Sequence, residues 1–149
     1  MNRRIGNLFL ISAVFLVYSL GLIGSPTPVN AQEKKIRVGA AVSMTGGLAK
    51  EGSLVKKGYE AWSEWANSRG GINVGGRMQK VEIVFYDDKA DVATSAKLTE
   101  KLITEDKVDL ILGPFSSGIT AATSAIAEKH GYLTIAPFAN GDFVYERGF

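Results

Sequence analysis

The residues best placed for chemistry are Gly113-Pro114-Phe115-Ser116-Ser117-Gly118, where two hydroxyls and several backbone amides converge ahead of an apolar-periodic stretch. Free N–H groups and partial positive charge at a helix start suit a carboxylate. A plain serine N-cap is the simpler use of the same residues. Serine hydrolysis does not fit. A nucleophile elbow needs glycine two residues before and after the serine, and Pro114 and Phe115 hold the preceding positions for Ser116 and Ser117. His130, the one histidine, stands just before Gly131 at the end of this stretch. There it suits the negative end of a helix dipole better than a role as a base.

Gly47 and Gly52 have the spacing of a phosphate loop, but Ser53-Leu54 follow where Lys and Ser/Thr would be needed. No G-x-G-x-x-G opens a helix either, so these glycines are expected to permit a tight turn rather than to hold a nucleotide. Asp87-Asp88 with Asp91 could be drawn as a Mg²⁺ or Ca²⁺ cluster. Successive strand side chains point apart, however, and Asp91 is placed to cap a helix, so the three are read as structural. Trp62 belongs to a core stripe and Trp65 to its edge; neither is assigned to a ligand.

The elements that must position these residues alternate along the chain. Ile36–Ser43 reads as a buried strand, and Gly52–Arg69 as a helix with Val55, Tyr59, Trp62 and Ala66 on one stripe. Gly70-Gly71 ends that helix, and Ile72–Arg77 reads as a small hairpin turning at Gly75-Gly76. Val81–Tyr86 is the second core strand. A helix capped by Asp91 runs to about Asp106, with Val92, Ala96, Thr99 and Ile103 on one face. Val108–Leu112 is the third core strand, a helix from Ser116/Ser117 reaches Lys129, and Tyr132–Ala136 is the fourth. Strands separated by helix-length crossovers imply an α/β fold: an open, mostly parallel sheet flanked by helices. Its strand exits at 43–52, 113–118 and 137–141 are where a ligand is expected.

Composition narrows the function classes. Cysteine is absent, which removes disulfides, zinc-thiolate sites, iron–sulfur clusters and thiol nucleophiles. A single histidine argues against a histidine metal site, and the sequence calls for no cofactor. Met1–Arg4 is basic, Ile5–Ile23 is almost wholly apolar, and Val29-Asn30-Ala31 follows a proline-rich break. This describes a secretory signal over residues 1–31, cleaved after Ala31, with export to the periplasm or another extracytoplasmic space. An uncleaved membrane anchor is the alternative, because the apolar run approaches the ~20 residues that span a bilayer. Arg3 and Arg4 are the only charged side chains before residue 32, so the remaining 118 residues balance 15 basic against 15 acidic groups. That balance gives no electrostatic footprint for nucleic acid.

Five segments carry a resemblance: IRVGAAVSMTGGLAKEG, GYEAWSEWANSRGGINVGGR, VEIVFYDDKADVATSAKLTEKLI, VDLILGPFSSGITAATSAIAEKHG and IAPFANGDFVYERGF. In this order and spacing the chain resembles the N-terminal lobe of a type I periplasmic solute-binding protein of the branched-chain amino acid ABC transport family. The resemblance implies two α/β lobes that close around a solute and then dock on the membrane permease of an ATP-driven importer. It covers 36–149 and only most of the first lobe, so residues 32–149 are expected to be an incomplete N-terminal ligand-binding lobe. The hinge and second lobe would lie beyond Phe149, and Val144–Phe149 ends without a cap or polar tail.

The resemblance also implies site residues. Ser117, with Ser116 beside it, matches the serine that takes the ligand carboxylate in amino-acid-binding relatives. Phe138 and Asn140 match positions that offer a backbone carbonyl to the ligand ammonium and an amide plus hydroxyl. Leucine-binding relatives carry a small residue and threonine there, so the backbone groups survive while pocket size and polarity change. Glu51 matches an aromatic of the first loop, and a carboxylate facing the cleft would favour a ligand with extra donors. The solute is therefore expected to be an amino acid, an amide or a small acid, bound without catalysis. A membrane-tethered sensor of the same fold and an enzyme using Ser116/Ser117 or the aspartates are the competing readings.

Overall fold

Alternating apolar side chains build the first strand, β1 (Ile36–Val42), with Val38, Ala40 and Val42 on one face and Ala41 on the other. The structure is a computed structural model that describes residues 34–148. The signal segment and its expected cleavage after Ala31 lie outside the described residues. After β1 come helix α1 (Ala49–Ser68), a hairpin of β2 (Ile72–Val74) and β3 (Arg77–Gln79), and strand β4 (Val81–Asp87). Helix α2 (Val92–Thr104), strand β5 (Leu110–Leu112), helix α3 (Ser117–Lys129), strand β6 (Thr134–Ile135) and a 3-10 turn at Asp142–Val144 complete the order.

The sheet runs β4-β1-β5-β6 with every pairing parallel, as the crossover lengths require. Val38, Ala40, Val42 and Val81 pack against Val55, Tyr59 and Ala66 of α1. Ala41 and Ile111 pack against Leu102, Ile103 and Ala127 of α2 and α3 on the opposite face. Leu102 and Ile111 are essentially inaccessible, and burying each contributes about 1.5–3 kcal/mol. The fold is the layered α/β arrangement that the sequence predicts.

Local differences have local causes. The hairpin turns at Gly75 and Gly76, both at positive φ (58° and 83°), as a two-residue turn demands. The buried stripe of α2 runs through Ser95, Thr99, Leu102 and Ile103, while Val92 is 47% exposed. Of the expected face, Thr99 and Ile103 are buried, Ala96 is half-buried and Val92, the first residue of the helix, faces outward. The expected strand Tyr132–Ala136 shortens to Thr134–Ile135, paired along a β5 that is itself three residues long.

Candidate functional site

From β1 the chain passes to β4 on one side of the sheet and returns to β5 on the other, so β1 and β5 flank a point where the direction of winding reverses. In open parallel sheets the crevice at such a point is the default ligand site. Three loops leave the sheet at this end.

The first loop is held by aspartates. Ser43 Oγ donates to Asp88 Oδ1 at 2.6 Å, with both residues wholly buried. Asp87 accepts from the N–H groups of Met44 (2.9 Å), Thr45 (3.1 Å) and Lys89 (3.0 Å), and from the Thr45 hydroxyl (2.7 Å). Desolvation pushes the Asp87 carboxyl up, but the hydrogen bonds to the charged form outweigh it and hold the group below the usual carboxylate value. Asp91 caps α2 through the Thr94 N–H at 2.7 Å, as the sequence predicts. Gly52 is not in a turn. It lies inside α1, where a Cβ would stand 2.0 Å from the Ser43 carbonyl oxygen, so glycine is needed for close approach. Glu51, in the first turn of α1, is partly buried and makes no hydrogen bond or ion pair among the described residues.

The second loop is pinned from beneath and strained at its tip. Tyr59 of α1 donates its phenol proton to the Gly113 carbonyl at 2.6 Å, and burial pushes that phenol well above its ordinary range. Ser116 is the N-cap of α3: its Oγ accepts from the Ile119 N–H at 3.4 Å and its carbonyl from the Thr120 N–H at 3.0 Å. It does so at φ 86°, a conformation costly for any residue but glycine and one that concentrates at functional sites. The cap leaves the N–H groups of Ser117 and Gly118 at the helix mouth, without an acceptor among the described residues.

The third loop folds onto that mouth. Ser117 Oγ accepts from the N–H groups of Asn140 (3.1 Å) and Gly141 (2.9 Å). Its own proton has only a long 3.4 Å contact with Asn140 Oδ1. Two donors into one oxygen polarise its O–H bond, so the hydroxyl proton is a good donor with a poor acceptor. The loops after β5 and β6 therefore lie side by side, and Ser117 meets Asn140. Phe138 is 40% exposed, with its ring 6.0 Å from that of Tyr59 at 54°. Its side chain thus turns to an apolar groove on the α1 face, and Ser117 is met by Asn140 and Gly141 instead. Gly141, Tyr59 and the Asp87–Thr45 contact escaped the sequence reading. Each joins groups far apart in the chain, a pairing that residue type does not reveal.

Residues 35–148 match the family described as Periplasmic binding protein. The chain belongs to that family. Leu/Ile/Val-binding protein homolog 2 of Brucella abortus is 34% identical over 112 residues, 75% of this chain and 29% of that protein. The branched-chain amino acid transporter substrate-binding protein LivJ of Streptococcus pneumoniae, solved with isoleucine, is 36% identical with a TM-score of 0.69. That match covers 74% of this chain and 31% of the solved one. A solute-binding protein of an ABC transporter from R. palustris, solved with benzoate, is 30% identical with a TM-score of 0.63, covering 74% and 29%. The chain thus spans under a third of the length of these relatives, with the type I binding-protein fold in partial form. Members of the periplasmic binding protein family are extracytoplasmic solute binders, typically without catalytic activity. Among the described residues, no group of three or more His, Asp or Glu side chains could hold a metal ion.

Proposed function

We propose that this chain supplies the solute-capturing side of an extracytoplasmic binding protein that takes an amino acid or similar small carboxylate for an ATP-driven importer. The observation that carries the reading is the Ser117 corner. A hydroxyl held by two backbone amides stands at the mouth of α3, beside two amides that have no acceptor among the described residues. A carboxylate seated there would accept the Ser117 proton in place of the long Asn140 contact. It would also accept from the Ser117 and Gly118 N–H groups, at the positive end of the helix dipole. The strain at Ser116 is consistent with a backbone held ready for that purpose. Asn140 edges the same corner and would select among ligands. The Phe138 backbone would meet the ligand's amino group, and Glu51 would face it from the first turn of α1. The solutes of the relatives, isoleucine and benzoate, share a carboxylate and differ in the rest, which fits a site defined first by its anion-binding end.

The leader, cleaved after Ala31, would deliver the protein to the periplasm, where a membrane permease is the docking partner. Calorimetric titration with isoleucine, leucine, benzoate and urea tests the reading. Binding of at least one carboxylate but not of urea is expected, and Ser117→Ala should weaken it by about 1.5–3 kcal/mol, the worth of a hydrogen bond to a charged group. No heat with any carboxylate, from protein with an intact circular dichroism spectrum, would contradict it.

A further inference from the structure

The 3-10 turn at Asp142–Val144 follows the third loop and sets a large apolar side chain, Phe143, beside the Ser117 corner. The residues after Phe143 are anchored. Val144 is buried, and Tyr145 donates its phenol proton to the Ala139 carbonyl at 2.5 Å. The Arg147 guanidinium donates to the Ala121 carbonyl (2.8 Å) and to the Ser124 hydroxyl, both on α3. Loop and turn are thereby tied to each other and to the helix whose mouth they adjoin. Phe143 itself is 55% exposed. A lone exposed aromatic needs no explanation in general, but the position of this one does.

Its ring lies on Gly141. A Cβ at Gly141 would stand 2.6 Å from Cε1 of Phe143 and 3.1 Å from Cβ of Ser117. The φ of Gly141 is −82°, open to any residue, so glycine is required here for room. One edge of the ring and the Ser117 side chain thus flank the same point. Consistent with that cover, the bond from the Gly141 amide to Ser117 Oγ is partly buried, whereas the bond from the Asn140 amide is exposed. The ring of Phe138, by contrast, turns to Tyr59.

We infer that Phe143 is a specificity-determining residue: its ring is the apolar wall against which the body of the solute lies once the carboxylate is seated at Ser117. The corner then takes a carboxylate with an aliphatic or aromatic body in preference to a small or hydrophilic one. Small-molecule sites combine a few polar groups that orient the ligand with apolar surface that supplies affinity. The Ser117 hydroxyl and the Ser117 and Gly118 N–H groups are the polar part here. Covering about half of a phenyl ring is enough for about a tenfold gain in affinity. The anchored backbone spares the cost of ordering that ring on binding. The inference rests on the carboxylate reading of the corner and adds which carboxylates it prefers.

The test titrates acetate and benzoate into the 149-residue chain while the Ser117 and Gly118 amide resonances are followed. The wild type should bind benzoate at least tenfold more tightly than acetate. Phe143→Ala should lower benzoate affinity about tenfold and leave acetate within about twofold, so the preference collapses. Phe143→Leu, still apolar, should keep most of it. Phe143→Gln repeats the measurement if circular dichroism shows the Ala variant unfolded. In the wild type, nuclear Overhauser contacts should join the Phe143 ring to the benzoate ring protons. A preference that survives loss of the ring, equal losses for both acids, or absence of those contacts would each overturn the inference and leave the carboxylate reading standing. A wild-type chain that binds neither acid would overturn both.

Discussion

Two corners of the same sheet end carry similar residues to different effect. At the exit of β1, Ser43, Asp87 and Asp88 use their side chains on neighbouring backbone and on one another, and the loop is held from within. At the exits of β5 and β6, Ser117 receives two amides, yet its proton and two nearby N–H groups point onward without a good acceptor. Both corners are polar, both lie at strand ends, and both adjoin a helix start. What separates a structural corner from a binding one is where its unmet groups stand: the orphan of the first corner, Asp88 Oδ2, is buried, whereas the donors of the second lie at a helix mouth. A group already satisfied has little to offer a ligand, whereas donors arranged in advance of an acceptor do.

Substitutions can break or sharpen this contrast. The largest effect is expected from Asp88→Ala, which strips a buried acceptor from the Ser43 hydroxyl and the Ala90 N–H. Urea unfolding should show a loss of about 3 kcal/mol, from one buried and one partly buried donor left unpaired. Tyr59→Phe should follow with about 1–2 kcal/mol by the same measurement, because it orphans the buried Gly113 carbonyl beneath the second corner. Ser117→Ala should cost at most about 1 kcal/mol of stability, since water can reach the exposed Asn140 amide, while solute binding falls. A large stability loss with unchanged binding would make Ser117 a structural residue and erase the contrast.

The smallest effect is a pH dependence at the first corner. The folded-state carboxyl of Asp87 lies below its ordinary value of 3.8, so it contributes stability that is present above that value. That contribution is lost as pH falls through 3.8 and then through the folded-state value. Urea midpoints compared at about pH 5 and pH 3 should therefore drop further in the wild type than in Asp87→Asn. Equal drops would remove Asp87 from the account of the first loop.

Much of this was legible in the chain. The stripe of Val55, Tyr59 and Ala66, the Gly75-Gly76 turn and the Asp91 cap are local patterns, and local patterns survive folding. Long-range polar pairing was not legible. Ser43 and Asp88 are 45 residues apart, and nothing in either segment announces a buried partner. Ser95 is a polar helix residue whose complete burial no local pattern signals. At the site, residue type pointed to Ser117, but the Asn140 and Gly141 amides that orient its hydroxyl are backbone groups that any sequence would supply. Phe138 was read for its backbone carbonyl, and the resting place of its side chain against Tyr59 depends on a long-range contact that residue type does not reveal.

The central claim is that the mouth of α3 presents donors awaiting a carboxylate. Backbone amide resonances followed during titration with isoleucine and benzoate, beside their uncharged carboxamides, test it most directly. The account predicts saturable shifts centred on Ser117, Gly118, Asn140 and Gly141 with the carboxylates and much weaker ones with the amides. Shifts confined to the Tyr59–Phe138 groove, or equal responses to acid and amide, would contradict it.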